Sequence, residues 1–190
     1  MKLLKTLILL IFLILFMSMI ACNFNNFDKT LIEDNNNRIK SFIDEKLQKE
    51  FKGNINIVIK NKCYIDNILI TSYSINNGMT GYAILQNEKD DIYIIKTFNY
   101  GFNIVDYPII TTATGKYLVV IGKEYNTKVQ SLRIELENNK FDFEINNEQY
   151  FIKYCNVPKN LKSSYGESYV FLDENKNNIT GIVKHLQNDF

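Results

Sequence analysis

Ile68-Leu69-Ile70-Thr71-Ser72-Tyr73-Ser74-Ile75, then Asn76-Asn77-Gly78, then Met79-Thr80-Gly81-Tyr82-Ala83-Ile84-Leu85 is the stretch on which the fold turns. Two strand-length runs rich in β-branched and aromatic residues flank Asn77-Gly78, which supplies the left-handed backbone that a tight hairpin requires. Upstream, Ile55, Ile57 and Ile59 alternate with Asn54, Asn56 and Lys60, a period of two that predicts another strand. Downstream, a turn over 87–90 leads to a fourth strand over 92–98. The pattern is an antiparallel meander.

Ahead of the meander the period changes. Ile39, Phe42, Ile43, Leu47 and Phe51 recur every three or four residues, while Arg38, Lys40, Asp44, Glu45, Lys46 and Lys49 take the other positions. That spacing predicts an amphipathic helix over 36–52, with Asn35 or Asn36 as N-cap and Gly53 just past its end. One such helix must bury its apolar stripe on something, and the meander is the available surface.

After the meander, residues 99–116 lack periodicity and contain Gly101, Pro108, Gly115 and the run Thr111-Thr112-Ala113-Thr114, so this segment is expected to be a linker. Six short strands are then expected over 117–121, 129–136, 141–145, 150–154, 169–172 and 179–183, joined by polar turns. The expected class is therefore α+β, mostly β: an N-terminal helix on an antiparallel meander, followed by a small immunoglobulin-like β-sandwich. A single continuous α+β sheet domain is the alternative.

The N-terminus carries a different kind of signal. Lys2 and Lys5 precede an unbroken apolar run from Leu7 to Met17, and Met19-Ile20-Ala21-Cys22 follows. A basic start, an apolar stretch and a small residue at the cleavage position describe a secretory signal peptide. Met19-Ile20-Ala21-Cys22 resembles the lipobox of bacterial lipoproteins, a resemblance confined to residues 1–22. It implies that Cys22 becomes the first mature residue and takes a diacylglyceryl group on its sulfur. Two acyl chains, at roughly 0.8 kcal/mol per buried methylene, anchor a protein stably where one is marginal. Read instead as an uncleaved anchor, the stretch 3–21 falls just short of about 20 apolar residues needed to span a bilayer. Both readings place the rest of the chain outside the cytoplasmic membrane.

The expected organisation is a signal peptide over 1–21, a lipidated tether over 22–35, helix plus meander over 36–98, a linker over 99–116, a sandwich over 117–184 and a tail over 185–190. The 190 residues are 46% apolar and 23% charged, with a formal net charge of +1. Such a composition describes a folded chain. Setting aside Lys2 and Lys5 leaves 20 basic against 21 acidic residues, a balance unlike the concentrated basic surface that nucleic acid requires. No nucleic-acid partner is expected. The 26 asparagines beside 20 lysines and 2 arginines follow from an AT-rich coding sequence, so asparagine clusters are not read as sites.

Candidate chemistry is sparse. With Cys22 acylated, Cys63 and Cys155 remain as an even pair in an exported chain, which permits a disulfide if their Cα atoms lie about 4.4–6.8 Å apart. Small buried hydrophobes are the other reading. His185, the single histidine, lies in the expected tail, where it is read as a surface residue. No metal site or cofactor is expected: Asp173-Glu174-Asn175-Lys176-Asn177 begins like a calcium loop, but Asn178 stands where the turn wants glycine and Lys184 where an acid should be. Glu33-Asp34 and Asp90-Asp91 read as solvated turn acids. The tyrosines never stand two apart, so no single strand presents them as a platform.

These readings converge on a surface lipoprotein, held to the membrane through its lipid and facing outward, acting as a non-catalytic binding module toward an envelope protein or glycan. An envelope enzyme with a site assembled from Asp, Tyr and Ser without a motif is one alternative. An immunity or inhibitor lipoprotein is another.

Overall fold

The computed structural model describes residues 31–51, 54–76, 78–101, 105–124, 129–146 and 148–188. The signal peptide, Cys22, most of the tether, Gly53, Asn77 and residues 189–190 lie outside them. The fold is α+β and mostly β, with antiparallel sheets arranged in a sandwich-like stack.

The meander sheet consists of β1 (Ile32–Glu33), β2 (Ile57–Ile65), β3 (Ile68–Ile75), β4 (Met79–Lys89) and β5 (Ile92–Gly101), in the order β1-β5-β4-β3-β2. Helix α1 (Asn36–Gln48) begins at Asn35, whose side chain accepts a hydrogen bond from Asn37 N at 2.8 Å and so satisfies one of the amide donors that open every helix. Its Ile39, Phe42, Ile43 and Leu47 pack on Ile57, Leu69, Tyr73, Ile75, Ala83 and Leu85. All of β3 is buried, because the opposite face of this sheet is covered as well.

That cover is the central sheet, formed by β6 (Val105–Asp106), β7 (Ile109–Thr111), β8 (Lys116–Lys123) and β11 (Tyr150–Val157), with β8 pairing all three others. Val119 and Ile121 of β8 meet Ile68, Ile70 and Ile84 of the meander sheet. Leu118 and Val120, pointing the other way, join Leu132, Ile134, Phe143 and Phe171. The latter belong to the outer sheet, β9 (Ser131–Leu136), β10 (Asn139–Glu144) and β12 (Ser168–Leu172), ordered β10-β9-β12. The layers thus run helix, meander sheet, central sheet, outer sheet. Residues 31–188 belong to one compact unit.

Several expectations change against this structure. The stretch 99–116 is not a bare linker, since β5 runs on to Gly101 and both β6 and β7 pair with β8. The last part of the expected tether holds β1, which pairs with β5 through Ile32 and Tyr93. The segment 179–183 is no strand: α2 (Thr180–Asn188) starts there. Val183 is fully buried and Ile179 packs on the same cluster, whereas Ile182 is exposed. Ile179 and Val183, four residues apart, share one face in a strand and in a helix alike. Among the described residues of the β3–β4 turn, Asn76 has a positive φ, 50°, and its side chain accepts from Asn56 N at 2.8 Å.

Two irregularities keep the meander faces apolar. A register shift between Ile59 and Asn61 inserts one extra residue in β2, so Ile57 and Ile59 lie under the helix while Cys63 and Ile65 face the central sheet. A bulge reverses the side-chain parity in this way. The shift opposite Ile84 and Leu85 acts likewise in β5, so that Tyr93, Ile95, Phe98 and Tyr100 all serve the helix side.

Candidate functional site

The strand β3 builds the candidate site through its own alternation. Ile68 and Ile70 face the central sheet and pack against it, and the next two residues on that face are Ser72 and Ser74. With two small polar side chains in place of isoleucines, the sheets part. The cleft that opens is lined by Ser72, Tyr73, Thr80, Gly81 and Tyr82 on one side and by Asp106, Ile121, Gly122 and Tyr150 on the other. Its cavity is about 10 Å³, the room of roughly one water.

At one end stands Asp106, on the face of β6 opposite Val105. The Tyr165 hydroxyl donates to Asp106 Oδ1 at 2.7 Å and accepts from Tyr107 N at 3.3 Å. Rings of Tyr107 and Tyr165 lie 4.5 Å apart, and Tyr107 and Tyr169 5.7 Å apart. Gly166 permits this approach, because a Cβ there would meet the Tyr107 ring and the Ile134 side chain at 2.6 and 2.7 Å. Burial, then the hydrogen bond to Asp106 and its charge, push the Tyr165 hydroxyl well above the usual phenol range. Tyr82 is raised by burial and Asp106, and Tyr107 by burial with Tyr169 and Asp106 adding to it. These phenols keep their protons at neutral pH, so the end around Asp106 is a carboxylate among neutral hydroxyls.

At the other end the Tyr150 ring has two cations near it, Lys60 Nζ at 4.8 Å and Lys123 Nζ at 5.9 Å from its centroid, within cation–π range. Burial, and secondarily Lys60, lower Lys123. Asn61 Nδ2 donates to the Tyr150 carbonyl at 2.6 Å, which ties the bulged β2 to the start of β11. Burial also raises the Tyr150 hydroxyl, with Ser74 beside it pulling the other way.

The residues singled out from the sequence do not meet here. Cys63 and Cys155 are free thiols. Cys63 packs into the layer between meander and central sheets and Cys155 into the layer between central and outer sheets, so the central sheet separates them and the disulfide reading does not match this arrangement. Burial raises both thiols, Cys155 to about 11, which leaves them protonated and poorly nucleophilic at neutral pH. Cys22 lies outside the described residues. His185 sits on α2 rather than in a loose tail. Asp173 spends its oxygens inside its own turn, accepting from Asn175 N, Asn177 N and Asn177 Nδ2 at 2.8–3.0 Å. Asp90 and Asp91 occupy the β4–β5 turn with φ of 46° and 62°.

Asp34 is the larger surprise. Rather than a solvated turn acid, it accepts from Lys62 Nζ at 2.5 Å and from the Tyr64 hydroxyl at 2.6 Å. Burial pushes its carboxyl up, but the bonds from Lys62 and Tyr64 outweigh that and hold it below the usual range. Tyr64 is in turn pushed up to about 12, chiefly by its hydrogen bond to Asp34. A comparable joint links two turns elsewhere, where Asp66 accepts from the hydroxyls of Thr112 and Thr114.

Sequence reasoning missed Asp106 and the tyrosines around it, because Tyr82, Tyr107, Tyr150 and Tyr165 come from four separated segments and a same-strand spacing test cannot see them. The available signal was the replacement of Ile by Ser along β3. No family model, curated protein or solved structure matches the chain.

Proposed function

We propose that the chain is a surface lipoprotein, tethered to the membrane through a diacylglyceryl group on Cys22, whose β-rich body is a non-catalytic binding module for an envelope protein or glycan. One observation carries the reading: Lys2 and Lys5, the apolar run over 7–17 and Met19-Ile20-Ala21-Cys22 stand in the order that export and lipid attachment require. Among the described residues no helix is long and apolar enough to cross a membrane.

The body's chemistry supports a recognition role. Its cleft has room for about one water, the tyrosines around Asp106 hold their protons, and burial keeps both described thiols protonated. Tyr64, Tyr154 and Tyr165 keep exposed ring surface, and aromatic faces suit contact with a hydroxyl-rich or protein surface.

Intact-mass analysis of the full chain extracted from membranes tests the anchor. The expected species starts at Cys22 and carries a lipid-sized mass increment, absent in Cys22→Ala; an unmodified full-length chain in the soluble fraction would refute it. For the module, the extracted protein is screened against envelope hydrolase and transferase substrates. Turnover abolished by changing one polar residue would overturn the non-catalytic reading.

A further inference from the structure

Ser72 is 3% exposed, yet its Oγ has no hydrogen-bond partner in the protein. It lines the cleft between the two sheets, and Asp106 and Tyr150 line the same cleft from the facing sheet. A buried hydroxyl without a partner costs about 1–3 kcal/mol, and native interiors answer that cost with a bond or an ordered water. The cavity of about 10 Å³ matches the smallest space that accepts one water, roughly 10–15 Å³. A water needs two to four polar partners, and this wall offers the hydroxyls of Ser72, Thr80, Tyr82 and Tyr150 and the carboxylate of Asp106. The wall also differs from the drier layer next to it, where Ile68, Ile70, Val119 and Ile121 interlock.

From this geometry we infer that the cleft is a built hydration site, in which one ordered water accepts or donates at Ser72 Oγ and bridges to the polar groups of the central sheet. The ligand is a single neutral molecule of water size, and it completes the contact between the sheets at the point where side chains stop doing so. The inference is independent of how the chain is anchored.

Two measurements on the full chain test it. A high-resolution crystal structure is expected to show one solvent peak within hydrogen-bond distance of Ser72 Oγ and of a group on the facing sheet. A wall without solvent, a Ser72 Oγ bonded directly to protein, or a peak that a rubidium soak replaces, which marks a cation, would each overturn the inference. The second measurement is thermal unfolding of Ser72→Ala, read by its sign. A hydroxyl that holds a water is lost at a cost, so the midpoint falls; a hydroxyl with no partner at all is relieved by removal, so an unchanged or raised midpoint overturns the inference. The crystal of the unmodified chain decides the matter even where the variant folds poorly.

Discussion

The junction between the meander and central sheets has two ends made from the same strands. At one end, Ile68 and Ile70 of β3 pack with Val119 and Ile121 of β8 in one buried apolar cluster. At the other end, Ser72 and Ser74 face Asp106 and Tyr150, and a cleft remains. Backbone geometry is shared, so the difference comes from side-chain volume and polarity at alternate positions of one strand. A sheet pair buried on both sides can therefore carry a polar pocket without any loop to build it.

The contrast breaks most severely at the apolar end. Ile70→Ala, fully buried between the sheets, is expected to cost about 3–4 kcal/mol, measured by urea unfolding. Gly81→Ala tests the opposite, helix face of the same sheet by filling rather than emptying, since Gly81 pairs with Tyr73, which packs beneath α1. Its Cβ would fall 2.5 Å from the Asn99 carbonyl oxygen and against the Tyr73 ring, which crosses over the glycine so that the Tyr73 hydroxyl can donate to Asn99 O at 2.9 Å. A loss of about 2–3 kcal/mol is expected in the same assay. If Gly81→Ala costs nothing, the close approach of β3, β4 and β5 is wrong.

At the carboxylate end, Tyr165→Phe removes the hydroxyl that donates to Asp106 and keeps the ring against Tyr107. About 1 kcal/mol is expected, clearly below the cost at Ile70. Equal costs at the two ends would show that the polar end is packed as tightly as the apolar one.

The smallest effect concerns the far face of the meander sheet. Asp34 has a lowered pKa in the folded state, so it contributes stability above the unfolded carboxylate value of about 3.9, and this contribution is lost as pH falls through the folded value. Acid unfolding profiles should be shallower in Asp34→Asn than in the parent. The same substitution should bring Tyr64 down from about 12 toward about 10, read by ultraviolet titration. A Tyr64 titration unmoved by Asp34→Asn would remove the pair from the structure.

Much of this architecture is legible in the residues. Asn35 announces α1, and β3 spans the whole run Ile68–Ile75, because strong periodicity and turn chemistry agree there. The bulge near Lys60 and the one in β5 were not legible, since an inserted residue leaves the local composition unchanged and shows only when the partner strand is placed alongside. The helix α2 was misread because Ile179 and Val183, four residues apart, share a face under either period, so the buried pair does not distinguish helix from strand. For the cleft, Ser72 and Ser74 were readable as an interruption of an apolar face, whereas Asp106 was not: it sits in the stretch expected to link two domains, and only its pairing with β8 brings it inside.

The bulge at Lys60 has a consequence for how this chain can change. It makes β2 a counted object: upstream of it odd residues are dry beneath the helix, and downstream odd residues turn toward the central sheet. Removing the extra residue would leave Ile59 opposite Tyr73 and Asn61 opposite Ser72 in an uninterrupted ladder, with Cys63 and Ile65 still turned toward the central sheet. A one-residue loss in this strand can therefore be absorbed by straightening the bulge, whereas an unbroken ladder would have to turn every side chain beyond the loss to the opposite face.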